Sequence, residues 1–319
     1  MSILKPQPTR SIKDDPRRRD VMFFRNRLGL KICVYNFPPD PCVERKGVII
    51  LCHGLDTFAE AEYVVRPGFQ FEGSFLEALC KSGWDVWSLD NQGMGRSESV
   101  IAGFRGMIFD YDDYVQDVIQ LRRILGDKFP SCKRFMLVGN SMGGCIVIRS
   151  AQREPRLFQG VAALSGAIGS FEKVKARPEN KVILPLLSVL SKVAPWLKVG
   201  SKSPMKNQAI LAEALQVGAP LMRPTSKMRA RYCTEGIRAG EACIQDALRL
   251  NDTPVLLIHN PLDQFCDFKG SWDLFTKLKK SHCKLVSTFS ENVGEEHDLI
   301  QTAAVHEIAN AVTDFLSSL

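Results

Sequence analysis

Gly139-Asn140-Ser141-Met142-Gly143-Gly144 is the stretch on which the reading of this chain turns. It follows Arg134-Phe135-Met136-Leu137-Val138, an apolar run of strand length, and precedes Cys145-Ile146-Val147-Ile148-Arg149-Ser150-Ala151, which reads as a helix. Strand, then G-x-S-x-G, then helix is the context of a nucleophile elbow. The turn is too tight for side chains at its flanking positions, so glycine stands on both sides. The strain raises the serine hydroxyl above the sheet edge, within reach of a base. A bare G-x-S-x-G is common by chance. The strand before it and the extra Gly144 after it make Ser141 the candidate nucleophile.

A serine hydroxyl is a weak nucleophile at neutral pH and needs a base, itself oriented by a third group. Behind such an elbow the partners follow in the order acid, then histidine. Thr253-Pro254-Val255-Leu256-Leu257-Ile258-His259 reads as a buried strand, and Asp263 lies in the loop beyond it. A second strand, Lys284-Leu285-Val286-Ser287-Thr288-Phe289, precedes the polar loop that holds His297. Loops after strands are where active sites of open α/β sheets gather. Four other histidines compete. His306 falls on the surface of the last helix, His282 in a solvated loop, His259 at a packed strand end, and His53 beside Gly54 in a different role. His297 is therefore the candidate base and Asp263 the candidate acid. Asp267 is the rival acid, with an ordinary helix N-cap as its plainer reading. Asp298, Glu295 and Glu296 read as solvated charges beside the loop.

An acyl-transfer oxyanion needs two donors. One is the N–H after the nucleophile, Met142. The other comes from the loop after Gly47-Val48-Ile49-Ile50-Leu51-Cys52, where His53-Gly54-Leu55 turns out of the strand and offers the Leu55 N–H.

Outward from these residues the chain alternates. Val21-Met22-Phe23-Phe24 and Lys31-Ile32-Cys33-Val34-Tyr35 make an opening hairpin. Trp84-Asp85-Val86-Trp87-Ser88-Leu89 and Gly160-Val161-Ala162-Ala163-Leu164-Ser165 are strands, while residues 111–129 and 304–319 are helical. This pattern predicts an α/β fold, a mostly parallel eight-stranded sheet with helices on both faces. Between about residues 167 and 250 no strand-like run occurs. The expected division is a core of 21–167 and 251–319, an inserted helical cap over 168–250, and a basic arm over 1–20.

The cap holds Lys181-Val182-Ile183-Leu184-Pro185-Leu186-Leu187-Ser188-Val189-Leu190, with Trp196 and Lys198 further on. Its apolar run is about half the ~20 residues a bilayer span needs. Two compatible readings remain: a helix packed on the core, and one lying at a membrane interface. Leu184 and Leu187 are candidate acyl-binding residues, since a fatty chain gains about 0.8 kcal/mol per buried methylene.

Together, His53-Gly54, Asp90-Asn91-Gln92-Gly93-Met94-Gly95-Arg96-Ser97, Gly139 to Gly144, the run from Asp263 to Gly270 and His297 resemble the α/β-hydrolases of the monoacylglycerol lipase and lysophospholipase group, of serine aminopeptidase S33 type. The resemblance implies the α/β-hydrolase fold, a Ser141–Asp263–His297 triad, and a place for Cys266 near the active site. It also implies a lid where the cap is expected. The family usually has His where Asn140 stands and often where Met94 stands. The long loop over 56–71, followed by Glu72-Gly73-Ser74-Phe75, is similar to the lysophospholipase-like hydrolases of apicomplexan parasites.

The expected chemistry is acyl transfer from a lipid ester, a monoacylglycerol or lysophospholipid, with no metal and no cofactor. An S-acyl protein thioesterase or short-chain carboxylesterase is the alternative within enzymes, and a silent binding protein on the same fold the alternative outside them. Ten cysteines without metal-ligand spacing, together with a start that lacks an apolar core, fit a reducing compartment and a cytoplasmic protein. The net charge of +7 includes Arg17-Arg18-Arg19, a solvated arm or an attraction to anionic membrane. Nucleic acid is not an expected partner, for want of a basic helix with interleaved aromatics. Ser2 stands where myristoylation needs glycine, so that modification is not indicated, and Ser317-Ser318-Leu319 resembles a degenerate form of a peroxisomal address.

Overall fold

The computed structural model describes residues 21–64, 71–169, 171–176, 178–199 and 228–319. The basic arm, part of the 56–71 loop and the 201–227 stretch of the cap lie outside the described residues.

Strands covered on both faces are apolar throughout rather than alternating. β3 (Gly47–Cys52), β4 (Trp84–Leu89), β5 (Phe135–Asn140), β6 (Gly160–Leu164) and β7 (Val255–Ile258) are of this kind, buried at every position. β1 (Val21–Arg25) and β2 (Lys31–Phe37) form the hairpin at one edge, and β8 (Cys283–Val286) closes the other. The eight strands lie in the order β1-β2-β4-β3-β5-β6-β7-β8, and β2 alone runs against its neighbours.

Successive side chains point to opposite faces. Ile49, Leu51, Val138 and Leu164 pack beneath α2 (Phe75–Lys81) and α9 (Val305–Ser317). Val48, Ile50, Leu137 and Val161 pack on the other side, beneath α3 (Asp112–Lys128) and α4 (Met142–Arg153). Each such buried Leu or Ile contributes roughly 1.5–3 kcal/mol. The expected eight-stranded, mostly parallel sheet is present. Three strands are shorter than expected, among them β7, which spans Val255–Ile258 rather than 253–259. β6 stops at Leu164 because Ser165 turns off at φ 44°. β8 stops at Val286, paired with Ile258, because β7 ends there; the last bond between the two is His259 N–H to the Val286 carbonyl at 3.0 Å.

Before β4, α1 (Ala59–Val64) precedes α2. After β6 come α5 (Glu172–Ala176), α6 (Pro178–Val193) and α7 (Ala230–Gln245), and α8 (Phe268–Lys277) lies between β7 and β8. Lys198–Val199 and Met228–Arg229 pair antiparallel within the expected cap, where no strand was expected; two residues are too few to show a period. α6 packs on α7, and α7 on both α4 and α8. The segment between β6 and β7 thus bears on the helix that follows Ser141. Among the described residues no helix is long and apolar enough to cross a membrane.

Candidate active site

β5 delivers Ser141 to the carboxyl edge of the sheet, and α4 begins one residue later. Ser141 has φ 55° and ψ −117°, a conformation that costs an L residue about 1–3 kcal/mol. Its neighbours hold it there. Its N–H donates to the Leu164 carbonyl at 2.9 Å, and its own carbonyl accepts from Ala167 N–H at 2.9 Å. Glycine is required on both sides. A Cβ on Gly139 would stand 2.2 Å from the Gly143 carbonyl oxygen, and one on Gly143 would stand 1.8 Å from that of Cys52.

The half-buried hydroxyl meets His297, and through it Asp263, each from a distant loop. His297 Nε2 lies 2.8 Å from Ser141 Oγ, and His297 Nδ1 lies 2.6 Å from Asp263 Oδ2. Asp263 is buried, and its Oδ1 accepts from the N–H groups of Phe265 and Cys266 at 2.7 and 3.1 Å. The His297 loop is fixed by Ser165, whose hydroxyl donates to the His297 carbonyl at 2.7 Å. Burial works against the Asp263 carboxylate, but hydrogen bonds from His259 and His297 hold it well below the usual range. Burial also works against a charged His297, yet Asp263, Asp298 and Glu62 together raise its pKa above the ordinary value. Such an imidazole can take a proton from the serine and keep it while charge develops on substrate.

Of the two candidate oxyanion donors, Met142 follows Ser141 directly and Leu55 follows Gly54, which lies close to it. Met142 heads α4, where free N–H groups and the helix dipole favour negative charge. Gly54, next to Leu55, is pressed close: a Cβ there would be 3.2 Å from Ser141 Cβ. Among the described residues neither the Leu55 nor the Met142 N–H donates within the chain. His53 braces this turn. Its Nδ1–H donates to the Gly54 carbonyl at 2.7 Å and its Nε2 accepts from Asn91 N–H at 2.9 Å, and burial lowers its pKa to about 4, so the ring is neutral.

The rivals lie elsewhere. Asp267 caps α8, accepting from Lys269 N–H at 3.2 Å. His306 is exposed on α9, and His282 pairs with Ser281 at 2.9 Å. The Cys266 thiol is buried, and burial with Asp263 nearby pushes its pKa well up. Leu187 is buried and Leu184 half-buried on α6, outside the hydrogen-bonded network of Ser141, His297 and Asp263. Three participants were missed from the sequence: Asp298, expected as a solvated charge, is half-buried and accepts from Asn140 Nδ2 at 3.2 Å, and two more join it. His259 sits 3.3 Å from Asp263 Oδ2, and Glu62 is buried beside Gly54 and Asn140.

Comparison with known proteins agrees with this picture. The chain is 29% identical over 208 residues to human monoglyceride lipase, covering 64% of each protein, so it spans just under two thirds of that relative. It is 23% identical over 288 residues to a monoglyceride lipase homolog of Monkeypox virus, covering 86% of this chain and 95% of the viral one. Among solved structures, the monoacylglycerol lipase of Paleococcus ferrophilus matches with a TM-score of 0.70 at 22% identity, over 90% of this chain and 98% of that one. A soluble variant of the Saccharomyces cerevisiae monoglyceride lipase, in complex with a substrate analog, matches with a TM-score of 0.72 at 18% identity, over 98% and 99%. These likenesses fix the fold as that of the α/β-hydrolases. The family model described as serine aminopeptidase, S33, matches residues 43–289, and the chain belongs to that family.

Proposed function

We propose that this protein is a serine hydrolase that cleaves carboxylic esters of lipids, a monoacylglycerol or a lysophospholipid, through an acyl-serine intermediate. The observation that carries the reading is the unbroken line of hydrogen bonds from Ser141 Oγ through His297 to Asp263, at 2.8 and 2.6 Å. The monoglyceride lipase relatives support a lipid ester as substrate.

Ser141 Oγ attacks the ester carbonyl carbon while His297 Nε2 takes the hydroxyl proton. The oxyanion settles between the N–H groups of Leu55 and Met142; losing one such donor typically costs ~3 kcal/mol of barrier. His297 then gives its proton to the leaving alcohol oxygen. Water, deprotonated by the same nitrogen, attacks the acyl-serine carbonyl, the C–Oγ bond breaks to release the fatty acid, and His297 returns the proton to Ser141 Oγ. Asp263 holds the imidazole in the tautomer that presents Nε2 to Ser141 and stabilises its charge.

The cap supports the same substrate class. α6 buries Leu187 on one side, and on the opposite side exposes Leu186, Val189 and Val193, followed by Trp196 and Leu197. A helix with this face can rest on a lipid surface while its other side meets the core. The ten free thiols support a reducing compartment.

A fluorophosphonate probe together with long-chain monoacylglycerol and lysophospholipid tests the reading. Wild-type protein labels and releases fatty acid, and Ser141→Ala does neither. Labelling that survives in Ser141→Ala removes the nucleophile. Turnover of acetyl and butyryl esters alone removes the lipid substrate.

A further inference from the structure

Glu62 is a carboxyl group, buried beside the nucleophile, that the acyl-transfer steps do not use. It sits on α1, whose orientation is fixed at its end. The Tyr63 hydroxyl donates to the Cys52 carbonyl at 2.7 Å, and Gln301 Nε2 donates to the Glu62 carbonyl at 2.5 Å. Glu62 Oε1 accepts two hydrogen bonds from separate parts of the fold. One comes from Gly54 N–H at 2.9 Å, in the turn that carries Leu55. The other comes from Asn140 Nδ2 at 2.8 Å, the residue before Ser141. The same Asn140 nitrogen reaches Asp298 Oδ1 at 3.2 Å.

We propose that Glu62 is a positioning residue for acyl transfer: its carboxyl group ties the Gly54–Leu55 turn to the nucleophile elbow and holds the Leu55 N–H in register with Ser141. The inference rests on the acyl-transfer reading and deepens it. An oxyanion donor acts only if it is in place before charge develops. Leu55 lies on a turn after β3, and Ser141 on a turn after β5. The strands are paired, but their turns project beyond the ladder, and Glu62 joins them there.

Buried carboxylates are costly unless neutralised or paired. Burial, with Asp298 nearby, pushes the Glu62 carboxyl up to about 8, while Asn140, Gly54 and His297 pull the other way. The groups facing it are Gly54 from the loop after β3, Asn140 from β5, and His297 and Asp298 from the loop after β8, with Asp263 beyond His297. Below that pH the group is a neutral acid whose carbonyl oxygen accepts both bonds. Above it, a negative charge appears beside His297.

The test compares Glu62→Gln, Glu62→Ala and Asn140→Ala with wild type, using a soluble ester across pH 6 to 10, with the fluorophosphonate labelling rate as a second readout. Glutamine keeps Oε1 and both bonds but cannot ionise. Glu62→Ala and Asn140→Ala are expected to lose roughly 10- to 100-fold in kcat and in labelling rate, because donor misplacement of about 1 Å costs that order. Their KM stays within about twofold, since transition-state rather than ground-state contacts are lost. Glu62→Gln stays within about fivefold of wild type in kcat and lacks an inflection near pH 8 that wild type shows. Wild-type kcat in Glu62→Ala overturns the proposal, as do equal losses in Glu62→Gln and Glu62→Ala. Should Glu62→Ala not fold, wild-type kcat in Asn140→Ala overturns it instead. A wild-type protein that never labels fails the nucleophile itself, which is a different outcome from a labelling protein indifferent to Glu62.

Discussion

Asp263 is shared between two imidazoles, and this sets the pH at which the site works. His297 Nδ1 meets its Oδ2 at 2.6 Å, and His259 Nε2 approaches the same oxygen at 3.3 Å. His259 Nδ1 accepts from the Ser271 hydroxyl at 2.7 Å, which leaves its proton on Nε2, facing Asp263 and the Cys266 carbonyl. The sequence places His259 at a packed strand end, and it is buried there. Its partners come from the acid loop and from α8, so no local pattern announces them. Because Asp263 and Asp298 raise the His297 pKa, and the ring must be neutral to accept the serine proton, the acid limb of kcat/KM falls above the ~6.5 of free imidazole. A pH profile with its acid midpoint below that value contradicts this account. Removing the His259 donor makes Asp263 a stronger acceptor, which favours imidazolium further. His259→Phe, which keeps a ring against Phe268, therefore moves the acid limb to higher pH. An unmoved limb reduces His259 to packing.

Elements whose signals are local were legible, and those fixed by tertiary contacts were not. The strand, glycine turn and helix around Ser141 could be read because the apolar run and the glycines occupy one short segment. α1 could not, since six residues show no helical period and its N-terminus is held by the Asp90 carboxylate accepting from Ala59 N–H at 3.0 Å. α2 was readable in principle. Ser74-Phe75-Leu76-Glu77 has capping-box spacing, and Ser74 Oγ does accept from Glu77 N–H at 3.1 Å. The elbow also shows how little slack an element interface has. Gly143→Ala puts a methyl 1.8 Å from the Cys52 carbonyl oxygen, forcing α4 away from β3. Overpacking of this kind costs roughly 1–3 kcal/mol. At about 2–4 °C of Tm per kcal/mol, a thermal melt resolves it. Gly236, inside α7, is the opposite case: a Cβ there meets only the Tyr232 ring, at 3.8 Å. Gly236→Ala is expected to stabilise by about 0.4–1 kcal/mol, through the unfolded chain. If the two variants melt alike, the close approach at Gly143 is not what fixes the elbow.

Across the whole molecule, α6 has two apolar sides, and among its described residues one is buried by the fold while the other is exposed. The sequence shows that residues 181–198 are greasy and flanked by lysines, but it does not say which side is buried. In the structure Leu187 and Ser191 turn inward, while Leu186, Val189 and Val193 turn outward, each more than half exposed at 59%, 57% and 66%. Lys181, Lys192 and Lys198 are exposed along the same stretch. A water-facing row of this kind carries an energetic cost that a lipid surface removes, by roughly 1.5–3 kcal/mol for each large side chain fully withdrawn from water. The lysines add attraction to anionic lipid that salt screens. The double variant Leu186→Asp, Val189→Asp is therefore expected to lose most of its flotation with anionic vesicles, by at least about tenfold, since two such contacts are worth more than the ~1.4 kcal/mol of one decade. Its kcat on a soluble short-chain ester should match wild type, because the substituted positions face away from the core. Wild-type binding should weaken as salt rises, and the weakening should be smaller with zwitterionic vesicles. Equal flotation of variant and wild type would leave the outward row without a lipid partner. A parallel loss of activity on the soluble ester would instead mean that the row shapes the site from outside, and that α6 does not divide its two sides between lipid and fold.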